Sequence, residues 1–267
     1  MAVKGTEPYF PMGKYGYISS PLDQFEIRNL ISLQAPVLAN MQISLTNIGF
    51  YLVISLLIAL MLTRLANNSN KTVSNSWSIN QESLYTTINN LVISQISAKG
   101  QIYFPFIYSL FIFILINNLL GMVPYSFAST SHFILTFSLS FSIVLGATIL
   151  GFQKHGFKFF SLFVPSGCPL ALLPLLVLIE ALSYAARCVS LGLRLAANIL
   201  SGHMLLNILS GFIYNILTSG LLFFIIGLIP LAFVVALCGL ELGIAFIQSY
   251  VFTILTASYL KDSLYLH

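Results

Sequence analysis

The chain has 267 residues, of which 58% are hydrophobic and only 7% are charged, and its formal net charge is +4. Soluble domains carry about a quarter charged residues, so this composition excludes an ordinary soluble domain and indicates that lipid is the main solvent. The small, scattered positive charge also excludes a nucleic-acid surface. The three cysteines form no CxxC pair and no Cys/His cluster with metal-ligand spacing, so we expect neither a metal nor a cofactor.

Apolar runs and polar breaks divide the chain into six predicted helices. Residues 1–19 lack the apolar core of a secretory signal and are assigned to an extension or possible leader, and residues 20–42 to an amino-terminal segment. The run 43–63 is long enough to cross a hydrocarbon core of about 30 Å, and 81–96 has the spacing of an amphipathic helix in the membrane surface. The other predicted parts of the 43–260 membrane domain are 103–123, 133–152, 170–209 and 221–260, before a tail at 261–267.

The segments 170–209 and 221–260 are about twice as long as a membrane crossing requires, at a rise of about 1.5 Å per residue. They must tilt strongly, bend or run partly along the membrane, unless each is two helices separated by a short break. We favour two long helices, because residues 214–220 form the only clear turn between them. The predicted fold is an all-α membrane protein with about five membrane-going helices and one interfacial helix, ending in a long, strongly tilted hairpin.

The basic residues of the short loops predict the orientation of the chain. Loops 124–131 and 214–220 contain no lysine or arginine, whereas the other membrane-flanking segments do. These basic residues are Arg64, Lys71, Lys99, Lys154, Lys158 and Lys261. We therefore expect the amino end outside and the carboxyl end inside the compartment of synthesis.

Ionisable side chains lie within the last two apolar segments, where an arginine costs about 2.5–3.5 kcal/mol on insertion scales. They are Glu180, Arg187, Arg194, His203 and Glu241, with Asp262 at the inner end of the last segment. At about 100° per residue, Glu180, Arg187, Arg194 and Asn198 share one polar stripe, and His203 lies on the opposite side.

Folding the two segments back on each other near residue 221 predicts three polar pairs. Arg194 comes opposite Gln248, His203 near Glu241, and Glu180 near Asp262. Carboxylate and imidazole groups exchange protons, whereas a guanidinium keeps its proton at physiological pH. We therefore predict that Arg194 separates two proton-accessible pockets, one toward each face. Arg187 has the alternative of extending to the interface or pairing with lipid phosphate.

Five sequence motifs carry a family resemblance that covers nearly the whole chain from residue 20 onward. They are SPLDQFEIR at 20–28, NNLLGMVPYSF at 117–127, SLGLRLAANILSGHML at 190–205, ELGIAFIQSY at 241–250 and ILTASYLKD at 254–262. Together they closely resemble subunit a of rotary ATP synthases, in particular the mitochondrial F-type branch of fungi. The resemblance implies a proton-channel stator subunit of the mitochondrial inner membrane that couples the proton gradient to ring rotation and ATP synthesis.

The resemblance also implies roles for matching positions and a set of partners. Arg194 matches the arginine that faces the carboxylates of the rotor ring. The half-channel toward the intermembrane space is matched by His203, Glu241, Asn198, Gln248 and Asn118, and the matrix half-channel by Glu180 and Asp262. Expected partners are the rotor c-ring, the peripheral stalk and other membrane-sector subunits, the lipid bilayer, and protons as the transported ion. Some relatives remove a short leader, so a cut near Ser20 is an expectation.

Two other classes of protein compete with this interpretation. A stand-alone proton-coupled secondary transporter is the main alternative, but the halves show no convincing internal repeat and no substrate cage. A purely structural membrane scaffold gives no reason for a polar stripe with a central arginine. No nucleotide-binding motif occurs, so the chain is expected to be non-catalytic and ATP chemistry to belong to a partner.

Overall fold

The computed structural model describes residues 23–35, 41–67, 75–123, 126–164 and 172–265. The predicted leader at 1–19 lies outside the described residues. The regular elements are strands β1 (Asn29–Ala35) and β2 (Met41–Thr46) and helices α1 (Asn47–Ala66), α2 (Ser76–Ile96), α3 (Phe104–Gly121), α4 (Phe133–His155), α5 (Leu173–Thr218) and α6 (Leu221–Leu264).

Five helices in the described part of the chain are long and apolar enough to cross a membrane: all except α2. This confirms the prediction of an all-α membrane fold. The helices α5 and α6 contain 46 and 44 residues, so each extends for more than 60 Å, about twice the hydrocarbon thickness. They pack against each other and both contact α4.

Both long helices are continuous, so the alternative of two shorter helices in each segment is not found. Helix α5 continues past the predicted end at residue 209 to Thr218, and only Ser219 and Gly220 separate it from α6. The added turns of α5 pack against α6. Gly227 of α6 lies so close to Leu217 of α5 that a Cβ added at Gly227 would come 2.8 Å from the Leu217 Cδ2 atom. Gly220 has a φ of 153°, which L side chains rarely adopt, and this permits the short turn.

The amino-terminal segment contains an antiparallel ribbon that the sequence analysis left unassigned. Strands β1 and β2 pair with Asn29 opposite Thr46 and Gln34 opposite Gln42. The ribbon uses residues 43–46, so the first helix begins at Asn47 rather than at the predicted residue 43. The ribbon brings Asn47, at the start of α1, next to Arg28, which precedes β1, and the Asn47 amide donates to the Arg28 carbonyl at 3.1 Å.

The two ends of the helix bundle differ in character. At one end, which we call the α2 end, an apolar face of α2 packs against α3 and the last turns of α6; its buried residues are Ile88, Leu91, Val92 and Ile96. The opposite end, which we call the Ser129 end, holds the end of α3, the start of α4 and a buried polar 3-10 turn, Ser129–Ser131. Between them, Leu191 and Leu195 of α5 pack with Phe252 of α6 in the apolar centre.

Candidate functional site

Helix α5 has one face packed inside the chain and one exposed polar face. Leu191, Gly192, Leu195 and Ala196 are buried against the bundle. Gly192 allows close contact with α4, because an added Cβ would come 2.8 Å from the Ser140 hydroxyl and 3.2 Å from the Thr136 carbonyl oxygen. This contact turns the opposite face, which carries Arg194, away from the chain.

Arg194 is exposed, and its Nη2 atom lies 3.5 Å from the Ser190 hydroxyl one turn earlier. It forms no ion pair within the described residues. Ser190, Asn198 and Ser201 are exposed on the same face, as the predicted stripe requires. The apolar side chains around it, such as Leu193, are exposed too. The guanidinium is therefore presented on an open surface of the single chain.

Gln248, which the helix register predicts opposite Arg194, is hydrogen-bonded to Asn198, one turn further along α5. Its Oε1 atom accepts a hydrogen bond from Asn198 Nδ2 at 2.9 Å. Helical side chains extend toward the amino end of their own helix, and Arg194 accordingly reaches toward Ser190. Gln248 is buried, so the amide of Asn198 supplies the partner that it needs.

His203 and Glu241 come together between α5 and α6 near the Ser129 end. His203 Nδ1 lies 3.6 Å from Glu241 Oε1, and both side chains are largely buried. Gly202 makes room for the carboxylate, since a Cβ added there would lie 2.5 Å from Glu241 Oε1. Gly121 of α3 borders the other side, where an added Cβ would lie 3.6 Å from His203 Nε2.

Asn118 and its neighbours extend this polar region into α3 and the turn before α4. Asn118 is fully buried and donates to the Ala245 carbonyl at 3.4 Å, while Asn117 accepts from Ser129 at 2.9 Å. Asn117, Ser129 and His132 are not among the predicted site residues. The run of polar residues 129–132 between two apolar segments was the available signal, but it was interpreted as a loop.

His132 caps the start of α4 beside the ring of Phe127, with ring centroids 5.1 Å apart. Burial lowers the pKa of the His132 imidazole below its ordinary value, because the charged form loses its hydration.

Buried polar atoms without a hydrogen-bond partner in the described protein concentrate in this polar region. They are Gln24 Nε2, Asn118 Oδ1, Thr130 Oγ1, His132 Nε2, His203 Nε2, Glu241 Oε1 and Oε2, and Gln248 Nε2. An unsatisfied buried polar group costs about 1–3 kcal/mol, so such a group normally bonds to water. The region therefore has the chemistry of a hydrated polar path rather than of a dry core.

At the α2 end, Asp262 pairs with a different residue from the one predicted. Arg187 Nη1 lies 3.0 Å from Asp262 Oδ2, whereas Glu180 forms no hydrogen bond or ion pair with the described part of the chain. The direction of the Arg187 side chain explains the difference. It extends about one turn toward the start of α5, so its guanidinium reaches the level of Asp262. The sequence analysis left Arg187 without this role.

The fold and the site define a multi-pass membrane protein that carries ionisable groups within apolar helices, the pattern of ion-conducting proteins. The family model described as the ATP synthase A chain matches residues 49–261, a range that includes every predicted site residue except Asp262. The chain therefore belongs to the ATP synthase A chain family.

Individual relatives agree with this family and with its fungal branch. A protein of Cochliobolus heterostrophus named ATP synthase subunit a is 73% identical over 257 residues, covering 96% of this chain and 100% of that relative. Its namesake in Podospora anserina is 70% identical over 252 residues, with 94% and 96% covered. The Saccharomyces cerevisiae protein of the same name is 52% identical over 252 residues, with 94% and 97% covered. The predicted resemblance is confirmed.

Proposed function

We propose that this chain carries protons to and from a rotor c-ring through two offset half-channels in the membrane sector of a mitochondrial ATP synthase. The observation that carries the proposal is the His203–Glu241 pair. Two groups that exchange protons lie 3.6 Å apart and are largely buried, and neither carboxylate oxygen nor His203 Nε2 has a hydrogen-bond partner among the described residues. Such a pair in an apolar helix bundle is costly, and proton transfer is its usual purpose.

The half-channel at the Ser129 end leads from the intermembrane space to the middle of the membrane. A proton passes from water to His203 and Glu241 and then through a water path that the amides of Asn118, Asn198 and Gln248 line. It is delivered to a carboxylate of the rotor ring. Neutralisation lets that carboxylate face lipid, because the charged form is the one that burial penalises.

Arg194 is the barrier between the two half-channels. Its guanidinium keeps its proton, so it cannot relay protons, but it attracts an ionised ring carboxylate. The exposed face of α5 around Arg194 offers the surface that the ring occupies. Each elementary charge that crosses is worth about 2.3 kcal/mol per 100 mV, so several crossings are needed for each ATP.

The matrix half-channel lies at the α2 end. Glu180 receives the proton released by the ring carboxylate, and Asp262 passes it to the matrix. Arg187 supports this role by position, because its guanidinium lies 3.0 Å from Asp262 Oδ2 and holds that carboxylate at the α2 end.

The assembly and its location form part of the same proposal. The c-ring, the peripheral stalk and other membrane-sector subunits are the partners, and the transported ion is the proton. The chain lies in the mitochondrial inner membrane, with its amino terminus toward the intermembrane space and its carboxyl terminus toward the matrix. It is non-catalytic on its own, so ATP chemistry belongs to partner subunits. Family membership disfavours the stand-alone secondary transporter.

The Glu241→Gln variant tests the outer half-channel. The amide keeps the size of the side chain but does not exchange protons as a carboxylate does, so we expect proton-driven ATP synthesis to slow by at least about tenfold. We also expect its dependence on the pH of the outer side to change. Synthesis is measured in inner-membrane vesicles that contain the assembled complex.

The matched control is Glu82→Gln, which makes the same change at an exposed position of α2. We expect it to retain the normal rate and pH profile. An unchanged rate and profile in Glu241→Gln would remove Glu241 from the proton path.

A further inference from the structure

The amino-terminal segment reaches the polar site from outside the helix bundle. Phe25 lies in a 3-10 turn, Asp23–Phe25, and its ring centroid is 6.5 Å from that of His203, with the two planes inclined by 60°. Phe25 and Gln24 are both partly buried. Aromatic rings at this distance are in direct contact, so one side of the imidazole is covered by an apolar ring.

A group of hydrogen bonds around Asn47 fixes this segment to the start of α1. The Asn47 amide donates to the Arg28 carbonyl at 3.1 Å, and its side-chain Nδ2 donates to the Glu26 carbonyl at 3.0 Å. The Arg28 amide donates in turn to Asn47 Oδ1 at 3.4 Å. These hydrogen bonds tie the residues that follow Phe25 to the start of α1, to which the ribbon of β1 and β2 also connects them.

Gln24, which directly precedes Phe25 in the chain, adds a buried polar group to this segment. Its Nε2 atom is buried and has no hydrogen-bond partner in the described protein, like His203 Nε2. A side-chain amide both donates and accepts, so it is suited to bind a water molecule. The segment thus places the apolar ring of Phe25 against His203, and the preceding residue, Gln24, carries a polar amide.

We infer that residues 24–25 form one wall of the entrance to the His203–Glu241 site, with Phe25 restricting the contact of His203 with bulk water. This inference rests on the proposed function, because it assumes that protons enter at this end of the bundle. Protons reach the imidazole past the Gln24 amide, and Phe25 closes the direct route. Phe25 is a positioning residue in this pathway and does not itself transfer a proton.

Chemical modification of His203 tests the inference in the assembled complex held in lipid nanodiscs, where both membrane faces are accessible. Diethyl pyrocarbonate is the water-soluble probe, and mass spectrometry measures the rate of modification of each histidine. We expect Phe25→Ala to raise the rate at His203 severalfold, because the ring that covers the imidazole is removed. Phe25→Leu retains apolar volume, so its rate should stay near that of the unsubstituted protein.

Two further variants separate a local effect from a general loosening. Ile27→Ala removes an exposed side chain of the same segment and should leave the His203 rate unchanged. Asn47→Ala keeps the Phe25 side chain but removes the two side-chain hydrogen bonds that hold the segment against α1, so Phe25 can move away from His203 and the rate should rise as in Phe25→Ala. His132 and His155 serve as internal references whose rates should not change.

An unchanged His203 rate in both Phe25→Ala and Asn47→Ala would overturn the inference, and so would an equal rise at His132 and His155. Failure of the proposed function has a different signature, since it would leave ATP synthesis normal in Glu241→Gln. The two ideas therefore fail independently.

Discussion

At the scale of single residues, the polar site depends on small side chains as much as on ionisable ones. Glu241 and His203 were recognisable in the sequence, because ionisable groups in apolar segments are rare. Gly202 and Gly121 were not recognisable, because the packing role of a helical glycine depends on which residues of the neighbouring helix lie against it. A Cβ at Gly202 would lie 2.5 Å from one oxygen and 2.9 Å from the carboxyl carbon of Glu241. Gly202 therefore determines where this carboxylate sits.

We expect Gly202→Ala to slow proton-driven ATP synthesis without reducing the amount of assembled complex. The added methyl group pushes the Glu241 carboxylate away from His203, whereas alanine favours helix α5 itself by about 1 kcal/mol. The measurements are the rate of ATP synthesis in vesicles and the complex content on native gels. Gly211→Ala is the control, because it makes the same change in α5 with open space around the new Cβ. Equal rates in the two variants would contradict this role of Gly202.

At the scale of the helices, the interfaces determined features that the sequence pattern left open. Predicted residues 43–46 belong to β2 instead of α1, since their backbone pairs with β1. The helix register predicted that Glu180 lies beside Asp262. The long side chain of Arg187 instead brings its guanidinium within 3.0 Å of the Asp262 carboxylate. Helix α6 also ends in a specific contact: the Leu264 carbonyl accepts from Lys154 Nζ at 3.2 Å and lies 3.1 Å from His155 Nε2 of α4.

The Lys154 contact predicts a local effect on the carboxyl end of α6. A cation at a helix carboxyl terminus stabilises by about 0.3–1 kcal/mol, so Lys154→Met should lower the free energy of unfolding by this amount. Hydrogen exchange should become faster in the last turn of α6, which is measured by mass spectrometry of the complex in nanodiscs. Lys158→Met removes the same charge from the neighbouring segment and is the control. Identical exchange in the two variants would show that the contact does not hold this helix end.

At the scale of the whole molecule, the chain presents its central arginine on an open face of a long helix pair. Arg194 is exposed, and its apolar neighbour in the chain, Leu193, is 40% exposed. A permanent charge on an apolar surface is costly in lipid, so this face requires a partner that carries opposite charge. A ring of carboxylates in the proposed rotor meets that requirement.

The purified chain reconstituted alone in liposomes should therefore conduct no protons, because neither of the two proposed half-channels crosses the membrane by itself. Co-reconstitution with the c-ring and the other membrane-sector subunits should produce proton flux, measured with a pH-sensitive dye under a potassium diffusion potential. Arg194→Ala should assemble in the same preparation but lose flux coupled to ring rotation. Rapid, saturable proton flux through the isolated chain would instead support the secondary transporter.

The sequence by itself determined the membrane fold, the approximate position of each long helix, the family and the ionisable residues. The fold, the helix positions and the ionisable residues follow from composition, length and periodicity, which are local properties of the chain, whereas the family follows from the resemblance that its motifs carry. The tertiary structure decided which groups meet: Phe25 with His203, Asn198 with Gln248, and Arg187 with Asp262. Such contacts depend on the crossing of helices and on the reach of individual side chains, and neither quantity is contained in the pattern of a single segment.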